Sequence, residues 1–167
     1  MSDPREKRTR PRRLLFVCTG NICRSPLAEA IFRHQAQQAG RGGEFEVDSA
    51  GTHDYHEGQR ADPRARRVGE ARGVAVTSIA REVEASDFER FDLILAMDRG
   101  HLRELRRRCP APLRDRIRLM GEWDVARDAP DVPDPYYSSD RAFVEVFEML
   151  DRCSRRLLAE LVEANGA

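Results

Sequence analysis

Leu14-Leu15-Phe16-Val17 constrains this chain more than any other segment. A short continuous apolar run of this kind reads as a strand buried on both faces. It stops at Cys18. Thr19-Gly20-Asn21-Ile22-Cys23-Arg24 follows as a tight loop. Ser25 and Pro26 then read as N-cap and first helical residue, Leu27, Ala30 and Ile31 keep helical spacing, and Gly40 ends the helix. The alternation recurs downstream. Phe45 to Ser49 reads as a strand and Ala50 to Gly58 as a loop. Asp62-Pro63 opens a helix that Gly73 closes, and Ser86 with Glu89 predicts a capping box on a short helix. Leu93 to Met97 is a second buried strand, with Asp98 placed to cap the helix after it, which ends near Cys109-Pro110. Arg116 to Met120 reads as a fourth strand. A long amphipathic helix is predicted from about Ser139 to Glu163, with Phe143, Val146, Phe147, Leu150, Leu157, Leu158 and Leu161 inward. Strands alternating with helices specify an α/β domain with a parallel sheet. Ligands of such sheets bind outside the carboxyl ends of the strands, where Cys18 and Asp98 are delivered.

One domain accounts for the 167 residues. No apolar run is long enough to cross a bilayer. Residues 1–13 are polar and basic, net +4, with no apolar middle of a secretory signal, so they predict a disordered lead-in to a cytoplasmic protein whose domain spans 14–167. Over the whole chain 29 basic residues balance 29 acidic ones, which gives no global argument for a nucleic-acid partner. Cys18, Cys23, Cys109 and Cys153 show no metal-ligand spacing, and His53 with His56 lacks a second cluster, so no metal is expected. In a cytoplasmic chain the thiols stay reduced, and reactivity is what would make any of them special.

Cys18 and Arg24 carry the chemistry. In a chain with 28 arginines the bare Cys-x5-Arg spacing means little; the buried strand before it and the helix after it give it weight. A loop this short must curl, and Gly20 and Asn21 tolerate the left-handed backbone that curling needs. Successive amides of Thr19, Gly20, Asn21, Ile22, Cys23 and Arg24 then form a nest for a tetrahedral oxyanion, reinforced by the helix N-terminus. Arg24 adds a fork matching two phosphate oxygens. The same field favours the thiolate of Cys18, and the Ser25 hydroxyl can donate to it. A thiolate beneath a bound phosphoryl group is a nucleophile for in-line displacement. Cys23, across the curl, is either a packing residue or a partner that forms a disulfide once peroxide has oxidised Cys18.

Expelling a phenolate requires a proton donor. Asp128, Asp131 and Asp134 are candidates, and Asp134 is best placed because Pro133 and Pro135 fix its backbone. Tyr136 and Tyr137 follow as an aromatic wall.

The run Val17-Cys18-Thr19-Gly20-Asn21-Ile22-Cys23-Arg24-Ser25-Pro26-Leu27-Ala28-Glu29-Ala30, with Asp134-Pro135-Tyr136-Tyr137, strongly resembles the low-molecular-weight protein tyrosine phosphatases. Asp48 to Thr52, Ala80-Arg81 and Phe91 to Asp98 extend the likeness. The resemblance implies a four-stranded parallel sheet with helices on both faces. It implies Cys18 as nucleophile, Arg24 as phosphate and transition-state binder, and Asp134 as general acid then base, with no cofactor. It also implies Asn21 as shaper of the loop, Ser25 as tuner of the thiolate and Cys23 as reversible redox partner. Tyr55 takes the place of an aromatic wall that is usually tryptophan, opposite Tyr136. The implied partner is a tyrosine-phosphorylated protein, in bacteria a tyrosine kinase among them. Ser78 stands where many members have a loop-supporting histidine. Related scaffolds serve arsenate reductases, which need further cysteines, and protein-arginine phosphatases, which usually carry threonine at the place of Ile22. A phosphate-binding module without catalysis is the alternative outside enzymes.

Overall fold

The structure, a computed structural model, describes residues 11–128 and 130–166. Four strands, β1 (Arg12–Cys18), β2 (Phe45–Gly51), β3 (Leu93–Ala96) and β4 (Ile117–Leu119), form one sheet in the order β2-β1-β3-β4. All three pairings are parallel. Among the described residues five α-helices accompany them: α1 (Arg24–Gln38), α2 (Pro63–Glu70), α3 (Asp87–Arg90), α4 (Arg99–Arg108) and α5 (Asp140–Gly166). The period-2 pleat of β1 explains why a run of apolar residues is needed. Leu14 and Phe16 enter a core with α1, α2 and α5, while Leu15 and Val17 enter a second core with α3 and α4. β3 repeats the pattern, Leu95 facing the first core and Ile94 and Ala96 the second. The seven expected inward residues of α5 are all buried.

Several local expectations are corrected. β1 begins at Arg12, inside the expected 1–13 lead-in, because Arg12 and Arg13 pair with Phe45 and Glu46. Their charges look like lead-in, but the Arg13 guanidinium pairs with Glu46 and its backbone amide donates to Asp92 at the end of the sheet. The rest of that lead-in, residues 1–10, lies outside the described residues. Ser25 does not cap α1, which starts at Arg24 with no side-chain cap; its hydroxyl is drawn to Cys18 instead. The Ser86–Glu89 capping box does not form, because Ser86 itself has helical angles, φ −65° and ψ −21°, where a capping residue is extended; the Asp87 carboxylate meanwhile takes the Glu84 amide at 2.8 Å and the Arg81 guanidinium. Asp62 and Asp98 cap α2 and α4 as expected. β2 runs to Gly51, which pairs with Cys18. A Cβ there would sit 2.5 Å from the Thr19 carbonyl, so close approach to the loop demands glycine.

β1 lies inside the sheet with β2 on one side and β3 on the other. The chain therefore reverses its direction of sheet growth at β1, and a crevice opens at the carboxyl ends of β1 and β3. No helix among the described residues is long and apolar enough to cross a membrane.

Candidate active site

The loop after β1 curls with its carbonyls outward. Cys18 O accepts from Thr52 N at 2.8 Å, Thr19 O from His53 N at 3.0 Å, Ile22 O from Asp62 N at 2.8 Å and Cys23 O from Leu27 N at 3.3 Å. A trans peptide points its carbonyl and the next amide in opposite directions. The amides of Thr19, Gly20, Cys23 and Arg24, which follow these carbonyls, are thereby turned inward. Among the described residues those of Gly20, Asn21, Ile22 and Cys23 donate to no protein group. Amides turned inward this way form the expected nest for an oxyanion. Asn21 makes the curl possible by adopting φ 58°, a left-handed conformation that asparagine tolerates. Its side chain also braces the loop: Oδ1 accepts from Arg81 N at 3.1 Å and Nδ2 donates to Ser25 Oγ at 2.8 Å. Arg81 is itself fixed by Asp48 and Asp87.

Ser25 Oγ lies 3.0 Å from Cys18 Sγ. Because Ser25 already accepts from Asn21, its one proton goes either to the Ala50 carbonyl at 3.4 Å or to the sulfur at 3.0 Å, and a sulfur anion would draw it. Asn21 and Ser25 are buried behind the cradle, supporting it rather than lining it. Cys18 and Cys23 both line the cleft. Burial first, then the neighbouring Asp62 carboxylate and Cys18, push the Cys23 thiol far up, so Cys23 rests protonated.

Arg24 is only 4% exposed. Its Nη1 donates to Asp98 Oδ2 at 2.9 Å and to the Val132 carbonyl at 3.0 Å, while Nη2 is 3.8 Å from Asp134 Oδ2. One edge of the guanidinium is thus pinned, which fixes how the rest faces the cleft. Burial works against the Asp98 carboxylate, but the His101 amide and Arg24 outweigh it and hold its pKa below the ordinary carboxylate range. His101 Nε2 and Thr19 Oγ1 share a 2.8 Å hydrogen bond, and Nδ1 is 3.1 Å from Asp98 Oδ1. Asp98 and His101 therefore tie together both ends of the loop, a function that the cap reading of Asp98 missed. His101 itself gave no sequence signal.

Burial depresses the His101 pKa from 6.5 to about 4 against the opposing pull of Asp98. The unfolded chain takes up that proton near pH 6.5, whereas the folded chain resists it until about pH 4. Stability must therefore fall as pH drops through this window, by roughly 3 kcal/mol at most. Urea unfolding of the His101→Gln variant should show a shallower loss between pH 6.5 and 4.5; an unchanged slope would rule this out.

The cleft, about 370 Å³, is lined by Cys18, Thr19, Gly20, Ile22, Cys23, Arg24, Tyr55, Asp134 and Tyr136 from the expected set, together with His56 and Tyr137. Asp134 stands across from the loop, half-exposed, its Oδ1 accepting from Tyr136 N at 3.1 Å. Tyr55 stacks on His53, with ring centroids 4.7 Å apart. Tyr136 packs near His56 at 6.2 Å and edge-on to Tyr137 at 4.8 Å. His56 lies against Gly20, where a Cβ would come within 2.7 Å of its ring. His56 had no sequence signal beyond its neighbour Tyr55.

Ser78 leaves its Oγ buried, with no hydrogen-bond partner among the described residues.

These features have close counterparts. The family profile described as low molecular weight phosphotyrosine protein phosphatase matches residues 13–166. A low molecular weight protein-tyrosine-phosphatase of Streptomyces coelicolor is 48% identical over 162 residues, covering 93% of this chain and 98% of that protein. A crystal structure of a protein tyrosine phosphatase from Entamoeba histolytica, with Hepes in its active site, superposes with TM-score 0.89 at 44% identity, over 92% of this chain and 98% of the other. Vibrio vulnificus Wzb, solved in complex with benzylphosphonate, superposes with TM-score 0.79 at 29% identity, over 89% and 98%. With the profile spanning nearly all the described residues and the cradle built as its sequence requires, the chain belongs to the low-molecular-weight phosphotyrosine protein phosphatase family.

Proposed function

We propose that this protein hydrolyses phosphotyrosine in proteins, and small aryl phosphates, through a phosphorylated Cys18. The carrying observation is the inverted loop: carbonyls engaged outward, amides turned inward, and Cys18 Sγ beside the Ser25 hydroxyl. The phosphoryl dianion is held by those amides and by the unpinned edge of Arg24. The Cys18 thiolate attacks phosphorus in line while Asp134, across the cleft, gives its proton to the departing phenolate oxygen. Asp134, now a carboxylate, takes a proton from water as that water attacks phosphorus, releasing phosphate and the thiolate. Tyr55, His56 and Tyr136 line the walls, which suits an aromatic leaving group, and the benzylphosphonate bound by the Vibrio protein has that shape.

A tyrosine-phosphorylated protein is the substrate class, and an autophosphorylated tyrosine kinase falls within it. Nothing favours arsenate reduction, since Cys109 and Cys153 are buried in the two cores on opposite faces of the sheet. The four cysteines are free thiols, as a cytoplasmic setting would keep them and as a cysteine nucleophile requires. Cys23 completes the reading as redox partner. Peroxide oxidises Cys18 to a sulfenic acid, and the Cys23 thiol then displaces water to form a disulfide.

The test is turnover of a tyrosine-phosphorylated peptide with a metal chelator present, with acid-quenched samples mapped by mass spectrometry. Phosphate on the Cys18 peptide is expected, and after mild peroxide a crosslink joining Cys18 to Cys23. Metal-dependent turnover, or phosphate on another residue, would overturn the mechanism; two unlinked thiols after oxidation would remove the redox role.

A further inference from the structure

The loop that carries Asp134 has an anchoring problem written into its sequence. Pro133 and Pro135 have no N–H, so two of the backbone donors that could tie the segment down are missing. Its first end is held from β3 and the cradle: Val132 N donates to Met97 O at 2.9 Å, and Val132 O accepts from Arg24. Its second end offers carbonyls that need donors from elsewhere, and these come from Arg64 on α2. Nη2 donates to Tyr136 O at 2.9 Å and Nη1 to Ser138 O at 3.3 Å. The guanidinium also lies over the Phe143 ring of α5, 4.5 Å from its centroid, and over Tyr136 at 5.7 Å. Asp62 locks the fork in place, with Oδ2 3.0 Å from Nη2 and Oδ1 accepting from both Nε and the Arg64 amide. Asp62 is buried, and its own amide donates to Ile22 O in the cradle. The unit Ile22–Asp62–Arg64–Tyr136 is therefore a continuous strut from the loop under the phosphoryl group to the loop bearing the acid.

We propose that Arg64 is a positioning residue that sets Asp134 at working distance from the leaving oxygen. This inference rests on Asp134 being the acid. A planar fork that spans two carbonyls and stacks on a ring is a task for arginine, which lysine cannot take over. Small misplacements of a reacting group are costly, as much as a hundredfold for about 1 Å.

The experiment compares Arg64→Ala, Arg64→Lys and Asp134→Asn on phenyl phosphate, a poor leaving group, and p-nitrophenyl phosphate, a good one. Vanadate inhibition reports the cradle, and hydrogen exchange reports residues 134–138. Both Arg64 variants should lose about tenfold or more in kcat/KM on phenyl phosphate and less than about threefold on p-nitrophenyl phosphate. Vanadate inhibition should stay within about twofold, as an intact cradle requires, while exchange in residues 134–138 rises. Parallel losses on both substrates and in vanadate affinity would overturn the proposal, since they would make Arg64 general scaffolding. Full rescue by lysine, or unchanged exchange, would overturn it too. If Asp134→Asn shows no leaving-group selectivity, the acid assignment falls, and the exchange measurement still decides whether the strut holds the loop.

Discussion

Cys18→Ser should abolish turnover of aryl phosphates, lowering kcat by at least about 10³-fold, while binding of vanadate or phosphate survives. The two atoms differ by one row of the periodic table, but the site is built for the heavier one. A serine hydroxyl releases its proton far less readily than a thiol, and the cradle's inward amides act on whatever anion sits beneath them. Ser25, which accepts from Asn21 and lies 3.0 Å from Sγ, has one proton to give and no base with which to take one. Nothing beside Cys18 is therefore arranged to deprotonate a serine in its place. The variant leaves the inward amides of the loop and Arg24 untouched, which is why binding should persist. Measuring kcat together with the vanadate dissociation constant by calorimetry separates the two: retained turnover would end the covalent mechanism, and lost vanadate binding would mean the cradle depends on the sulfur for its shape.

How much of this was readable beforehand follows from the range of each interaction. The apolar runs at Leu14–Val17 and Leu93–Met97 announce buried strands because burial on both faces leaves no room for polar residues. The Cys18–Arg24 loop is local, so its chemistry is written in consecutive residues, and Asp134 is flagged by the prolines beside it. The illegible parts are contacts between distant segments. Arg24 and Asp98 are 74 residues apart, Thr19 and His101 82, and Arg64 meets Tyr136 across 72. In a chain so rich in arginine, a structural guanidinium looks like every exposed one. Local rules also failed where a longer-range partner outbid them. Ser25 left the capping role for Cys18 and Asn21, and Ser86 forms no capping box because its own backbone is already helical. Arg12 and Arg13 were read as lead-in because nothing in the sequence shows that Glu46 and Asp92 wait beside them.

Arg24→Lys, which keeps the charge, should still cost about 10²–10³-fold in kcat. Nη1 is committed to Asp98 at 2.9 Å and to the Val132 carbonyl at 3.0 Å, and these contacts aim the remaining edge of the guanidinium at the cleft. An ammonium has three donors on one atom and no plane. If it stays with Asp98 and Val132, it has at most one donor left for the phosphoryl oxygens. If it turns to the phosphoryl group, it leaves Asp98, a carboxylate held ionised partly by Arg24, short of its partner. Either choice weakens the transition state more than the ground state, because in the transition state the three phosphoryl oxygens spread into an equatorial plane that a planar fork spans and a single ammonium does not. The loss should therefore appear chiefly in kcat, with KM changed less. Val132 anchors the acid loop through the same Nη1, so the variant should also show a steeper dependence on leaving-group pKa than the native protein. Steady-state kinetics over a series of substituted phenyl phosphates would measure both effects. A lysine variant within about threefold of native kcat would show that charge alone suffices at this position, against the fork geometry on which this argument turns.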